Sequence, residues 1–165
     1  DLRDVVSGYV ALLPGGVEYD GQPLVDFDEA AVRAACAEIK AQGLTSVAIS
    51  SVFSPVSAAH EERAAEIVVE ELPDAAISVS HKVGRLGLLE RENATIMNAC
   101  LRELGARKLA AFRQAMTDLG LQCPLYLAQN DGTLMSADFA EQFPVFTFAS
   151  GPTNSMRGAA FLSGL

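Results

Sequence analysis

The stretch SVAISSVFSPVSAAHEERAAEIVVEELPDAAISVS, residues 46–80, decides the fold. It opens with an apolar, β-branched run of strand length at 46–53 and closes with another, AAISVS, at 75–80. Between them Pro55 and Ser57 lead into a segment carrying Ala64, Ile67, Val68 and Leu72 on one helical face, and Pro73 ends it. Strand, helix and strand in close succession predict a parallel pair with a right-handed crossover. The expected class is α/β, with mixed or parallel sheets and flanking helices.

Upstream, Val32, Ala35, Cys36 and Ile39 recur at helical spacing, with Asp28 placed to cap the first turn and Gly43 to close the last. Residues 5–26, which include YVALLPGGVEYDGQPL, suit short strands and hairpin-like loops. Downstream, residues 89–119 read as helix nearly throughout. Met97, Cys100, Leu101, Leu104, Leu109, Phe112, Met116 and Leu119 mark an apolar stripe, and Gly105 is a place to split or bend it. PLYLA at 124–128 reads as strand, NDG at 130–132 as a turn, 137–142 as a short helix, VFTF at 145–148 as strand, and a last helix starts at Pro152. The change of character near 81–95 suggests two subdomains, 1–85 and 86–165, and no internal repeat is evident.

With 165 residues, half of them hydrophobic and a fifth charged, the chain can bury a core. Its 12 Lys and Arg against 21 Asp and Glu give a net charge of −9, which repels phosphate backbones and anionic bilayers. Nucleic acid and membrane are therefore poor candidates as partners. No run of eighteen apolar residues exists and DLRDVVSGYV lacks the pattern of a secretion signal, so a cytoplasmic location is expected. Cys36, Cys100 and Cys123 are too few and too widely spaced for a disulfide framework or a zinc site, and are expected to be buried thiols. The first residue is not Met and the last stretch is FLSGL, the look of an excised internal piece.

Two segments are candidates for a ligand cleft. In ASGPTNSMRGA, residues 149–159, Ser150, Gly151 and Pro152 open a helix, with Thr153 and Asn154 behind them. Proline in the first turn sacrifices no hydrogen bond, and the free N–H groups with the helix dipole suit a phosphate or carboxylate. The plainer alternative is a helix start with no ligand. In AQNDGT, residues 128–133, a strand delivers Gln129, Asn130, Asp131 and Gly132 to its C-terminal end, where ligands of open α/β sheets bind. A β-turn that needs those residue types for its backbone angles explains them equally well.

His60 is followed by Glu61 and Glu62, yet no second histidine stands at the spacing a zinc helix needs. The reading is a first-turn histidine, with Glu61, Glu62, Arg63 and Glu66 on a solvated face. GRLG at 84–87 has the GxxG spacing of some RNA clamps but sits in an acidic chain, and a turn is expected. No GxxxxGK[ST], GxGxxG or GxSxG occurs, and no residue stands out as catalytic.

Several segments, in order, resemble the hydantoinase/oxoprolinase family of hydantoin utilisation protein A and 5-oxoprolinase. They are FSPVSAAHEERAAEIVVEELPDAAISVS, LLERENATIMNACL, LAQNDGTLMSAD and ASGPTNSMRGAAFLSGL, and together they run from about residue 28 to 165. The resemblance implies part of an actin-like ATPase (ribonuclease H-like) fold, cut before the family's phosphate-binding segments. It implies ATP-driven opening of a cyclic amide, with ATP and Mg²⁺ as cofactors of the parent and an inactive isolated piece. A ketone carboxylase subunit, or a module that holds a second subunit through the 89–119 helix, are the alternatives. Gln129, Asn130, Asp131 and Gly132 match the family's Gln-Ser-Asn-Gly-Gly segment with departures at Asn130, Asp131 and Thr133. Ser150, Gly151 and Pro152 match its Ser-Gly-Pro segment, with Thr153 and Asn154 in place of the usual small residues.

Overall fold

The computed structural model describes residues 8–164, so the part of the 5–26 expectation that falls on residues 5–7 lies outside it. The chain divides into two compact units at Cys100 and Leu101.

In the first unit Asp28 caps α1 (Glu29–Ala41) as expected, its Oδ1 accepting from the Ala31 N–H at 3.0 Å. β1 (Ser46–Ile49) and β2 (Ala76–Val79) form the expected parallel pair, in the register Val47 to Ile77 and Ala48 to Ser78, with α2 (Ala59–Glu71) between them in sequence. Strand alternation then decides what each face meets. Val47, Ile49 and Ile77 pack with Val32 and Cys36 of α1 and with Ala64, Ile67 and Val68 of α2. Ile67 is fully buried, which stabilises the fold by about 1.5–3 kcal/mol. The other face carries Ser78, whose hydroxyl accepts from Asn98 Nδ2 at 2.9 Å on α3 (Leu88–Asp118). The pair is thus covered on both faces, as parallel sheets require. Upstream of α1 the only regular pairing among the described residues is an isolated bridge between Val17 and Pro23, less strand than the sequence suggested.

α3 starts in the first unit and ends in the second, unbroken through Gly105. The glycine does not split it. Its bare backbone instead admits Pro144, which a Cβ there would meet at 3.2 Å. The expected apolar stripe is buried only in part: Leu109 is buried, whereas Leu104, Phe112 and Leu119 are exposed. The face buried in the first unit is mainly polar, Arg91, Thr95 and Asn98 at i, i+4 and i+7, with Ala99 buried beside them.

In the second unit β3 (Tyr126–Ala128) and β4 (Leu134–Ser136) pair antiparallel around the 130–132 turn, and α4 (Ala137–Gln142) follows. Met135, Ala137 and Ala140 pack on Leu109, with Leu127 and Phe146 beside them. Residues 145–148 are not a strand: a 3-10 helix runs over Pro144–Thr147, because Pro144 fixes the first turn and the Thr147 hydroxyl donates to its carbonyl at 2.7 Å. α5 (Ser150–Ser163) begins two residues before Pro152, after Ala149 has turned left-handed at φ 57°. Of the cysteines only Cys36 is buried, since Cys100 and Cys123 fall on solvent-facing positions.

Candidate functional site

The two segments singled out in the sequence meet in the second unit. The 129–132 turn closes by a hydrogen bond from the Gly132 N–H to the Gln129 carbonyl at 3.0 Å, and Gly132 holds φ at +85°, where other residues are strained. Asp131 caps the turn: its Oδ1 accepts from the Thr133 N–H at 2.8 Å and from the Thr133 hydroxyl at 2.7 Å. Those bonds, helped by the Arg157 charge, hold the Asp131 carboxyl below the usual carboxylate range. α5 lies against this turn, with Thr153 Oγ1 donating to the Asn130 carbonyl at 2.8 Å and the Arg157 guanidinium donating to the Gly132 carbonyl.

Residues 129–132 thus form a turn, with Asp131 Oδ1 engaged within it and the Asn130 N–H donating outside it to the Phe146 carbonyl at 2.7 Å. What remains open is the start of α5. Ala149 offers no side-chain cap, so the N–H groups of Ser150 and Gly151 face the helix end without one, Pro152 having no N–H and Thr153 being the first to donate within the helix. A Cβ on Gly151 would meet nothing within 4 Å, so an oxyanion can reach the main chain there. Gly151, Pro152, Asn154, Asn130 and Asp131 are exposed, and Gln129, Ser150 and Thr153 are half-buried. Among the described residues no three His, Cys, Asp or Glu side chains gather as a metal site.

A second polar constellation, in the first unit, escaped the sequence analysis. Glu61 is not on a solvated face but wholly buried. Its carboxylate accepts from the N–H of Ser51 at 2.8 Å, the N–H of His81 at 2.9 Å and the hydroxyl of Ser80, and lies 2.8 Å from His81 Nδ1. Arg91, also buried, donates from Nε to Ser80 Oγ at 2.9 Å and from its terminal nitrogens to the carbonyls of Arg85, Leu86 and Ser51. Burial pushes the guanidinium pKa down while the Glu61 charge opposes it. Ser51 lies two residues past the end of β1 and Ser80 directly follows β2, so the network sits at the C-terminal ends of the parallel strands. Its donors and acceptors are spent on one another, which makes it a brace for these ends and leaves Glu61 no lone pair aimed at a ligand.

The signal for this brace was present: Glu61, Ala64 and Val68 share one face at i, i+3 and i+7. His60, one position before Glu61, sits in the first turn of α2 as expected, its Nδ1 accepting from the Gly16 N–H at 2.9 Å. GRLG forms the loop whose carbonyls receive Arg91.

Comparison with known proteins agrees with the segments matched in the sequence. The profile described as hydantoinase/oxoprolinase N-terminal region matches residues 3–72, and that described as hydantoinase/oxoprolinase matches residues 91–165. The caprolactamase subunit alpha of Pseudomonas jessenii is 30% identical over 142 residues, covering 86% of this chain and 20% of that protein. The solved ATP-dependent caprolactamase of that organism superposes with a TM-score of 0.70 at 31% identity, over 74% of this chain and 18% of its own. The acetophenone carboxylase gamma subunit of Aromatoleum aromaticum is 25% identical over 98% of this chain and 22% of itself. A nucleotide-free acetone carboxylase matches in fold, with a TM-score of 0.74 at 21% identity over 91% of this chain and 22% of its own. The chain spans about a fifth of the length of these relatives. The structural neighbours share the actin-like fold expected for the class. No helix among the described residues is long and apolar enough to cross a membrane.

Proposed function

The chain belongs to the hydantoinase/oxoprolinase family, and on that premise we propose that it is part of an ATP-dependent enzyme that opens cyclic amides of the hydantoin, oxoproline or lactam type. The observation that carries this is the meeting of the 129–132 turn with the start of α5, supported by the likeness to a caprolactamase over most of the chain. In such chemistry the terminal phosphoryl group of ATP passes to the amide oxygen, which makes a poor electrophile open to water. The chain's own contribution is a piece of cleft wall. The N–H groups of Ser150 and Gly151 suit a phosphoryl oxygen, and the exposed amides of Asn130 and Asn154 suit a polar ring. Mg²⁺ belongs to the proposal as the companion of the nucleotide phosphates. On this reading the 165 residues alone bind no nucleotide tightly and hydrolyse none.

A polypeptide of the relatives' length carrying these residues should release phosphate from ATP when a lactam or hydantoin is added. ATP consumption indifferent to any cyclic amide, yet dependent on a ketone and bicarbonate, would move the assignment to the carboxylase members. A saturable thermal shift of the present chain with Mg-ATP would sink the scaffold role.

A second reading has a specific observation behind it. Leu104 and Phe112 are exposed along α3 and Leu119 just past its end, the pattern of a helix that seats another subunit, and two relatives are themselves named as subunits. Copurification of a partner with the longer polypeptide, lost on Phe112→Asp, tests it.

A further inference from the structure

The brace around Glu61 leaves one atom at its edge unspent. We propose that this atom, His81 Nε2, accepts a proton in the reaction proposed above, with Glu61 as the residue that positions it. The proposal rests on that reading of the reaction and adds a residue to it. Glu61 Oε1 accepts from the Ser51 N–H at 2.8 Å and from the Ser80 hydroxyl, and Oε2 accepts from the His81 N–H at 2.9 Å. These are the bonds of an ionised carboxylate, which only accepts, and the buried Arg91 charge acts on it. His81 Nδ1, 2.8 Å from Oε2, is therefore the donor in that contact. A neutral imidazole carries one N–H, so Nε2 is left with a bare lone pair. A carboxylate that fixes the tautomer and presents the far nitrogen is the arrangement of a histidine general base.

Among the described residues no hydrogen bond reaches Nε2, and it is not one of the buried unpartnered atoms. The side chain is 12% exposed, so the ring is held firmly and still meets solvent. The charged groups that face it are both on α2: Glu61 at Nδ1, and Glu62, whose Oε1 lies 3.8 Å from Nε2. Both are acceptors, so an imidazolium formed by proton uptake finds a partner at each nitrogen. Arg91 of α3 turns to Ser80 and to main-chain carbonyls instead. His81 lies two residues past β2, at the strand ends where ligands of open α/β sheets bind. The loop after β1 holds Phe53 at φ 50°, a costly angle for a bulky side chain, and ties Ser54 to Ser80 with their hydroxyls 3.1 Å apart. Backbone strain of this kind gathers at functional sites. In the step assigned to His81, water forms a C–O bond to the carbon of the phosphorylated amide and the C=N electron pair moves to the amide nitrogen. The water proton passes to Nε2, and the imidazolium returns it to that nitrogen.

A polypeptide of the relatives' length tests it, with hydantoin, 5-oxoproline and caprolactam as probes. His81→Asn keeps an N–H for Glu61 and removes the base. It should lower kcat by about 100-fold or more with KM little changed, and abolish the acid limb of the rate's pH profile. Free imidazole should restore part of the activity lost in His81→Gly. An undiminished kcat, or a variant that keeps its acid limb and gains nothing from imidazole, leaves His81 as part of the brace alone and overturns the proposal. Turnover of none of the three probes by the unaltered polypeptide would count against the reaction instead. The dyad is then decided on the present chain, where the ring ¹⁵N shifts of neutral His81 should show the Nδ1–H tautomer. An Nε2–H tautomer overturns it.

Discussion

The hydroxyl of Thr153 donates to the main-chain oxygen of Asn130 at 2.8 Å, and this bond joins the first turn of α5 to the turn between β3 and β4. The join has no slack. A Cβ on Gly132 would lie 2.7 Å from Arg157 Cδ and 2.9 Å from Thr153 Cγ2, at a φ of +85°. Gly132→Ala should therefore destabilise the chain by about 1–3 kcal/mol through strain and a parted contact. Gly151→Ala, at a helical position with open space, should be neutral or slightly stabilising. Thermal denaturation of both variants checks the contrast, and equal midpoints would contradict the packing described.

Glu61→Gln replaces a buried acceptor of three N–H and O–H groups with an amide that must turn a donor toward one of them. It also leaves the buried Arg91 without its nearest negative charge. We expect a loss of about 3–5 kcal/mol in urea unfolding, against less than about 0.5 kcal/mol for Glu62→Gln on the exposed side of the same helix. Similar losses for the two would return Glu61 to a solvated face.

Thiol labelling should separate the cysteines. Cys100 and Cys123 are exposed, whereas Cys36 is buried and its pKa is pushed up by burial and by the neighbouring Glu71 charge. In native buffer two thiols should react promptly and Cys36 only after denaturant is added. Prompt reaction of all three would mean that the core between α1 and α2 opens freely.

Asp131 sets the sign of one pH effect. Its carboxyl is held below the ordinary range by Thr133 first and Arg157 last, so the folded state favours the ionised form. The stabilisation is present above the ordinary carboxylate range and fades as pH falls through the folded-state value. The melting temperature of the native chain should exceed that of Asp131→Asn at neutral pH, and the gap should close as pH falls through the folded-state value, below the ordinary carboxylate range. A gap that widens on acidification would reverse the assignment.

The first unit was legible because its elements follow local rules. Asp28 caps, Gly43 and Pro73 stop, and β-branched runs at 46 and 76 pair across the helix between them. What escaped was tertiary. Glu61 reads as surface by charge alone, and only its place in line with Ala64 and Val68 marks it as interior. VFTF has the composition of a strand, and Pro144 turned it into a 3-10 helix. The apolar stripe on α3 was found, but burial needs a neighbour, and Phe112 and Leu119 have none among the described residues that covers them. At the candidate site the two segments could be named in advance, while their contact through Thr153 and Arg157 rested on a chain reversal that spacing does not encode.

The brace around Glu61 also solves an alignment problem. A parallel pair of four residues a side, with Val, Ile and Ala in it, offers little to distinguish one alignment from the next. One carboxylate grips the N–H that follows β1 and the N–H that follows the end of β2, at Ser51 and His81. Sliding one strand by a single residue would carry one of those groups away and strand a buried charge. Polar chemistry at the strand ends thus acts as a vernier for the sheet, admitting a single setting where greasy contacts alone would tolerate several.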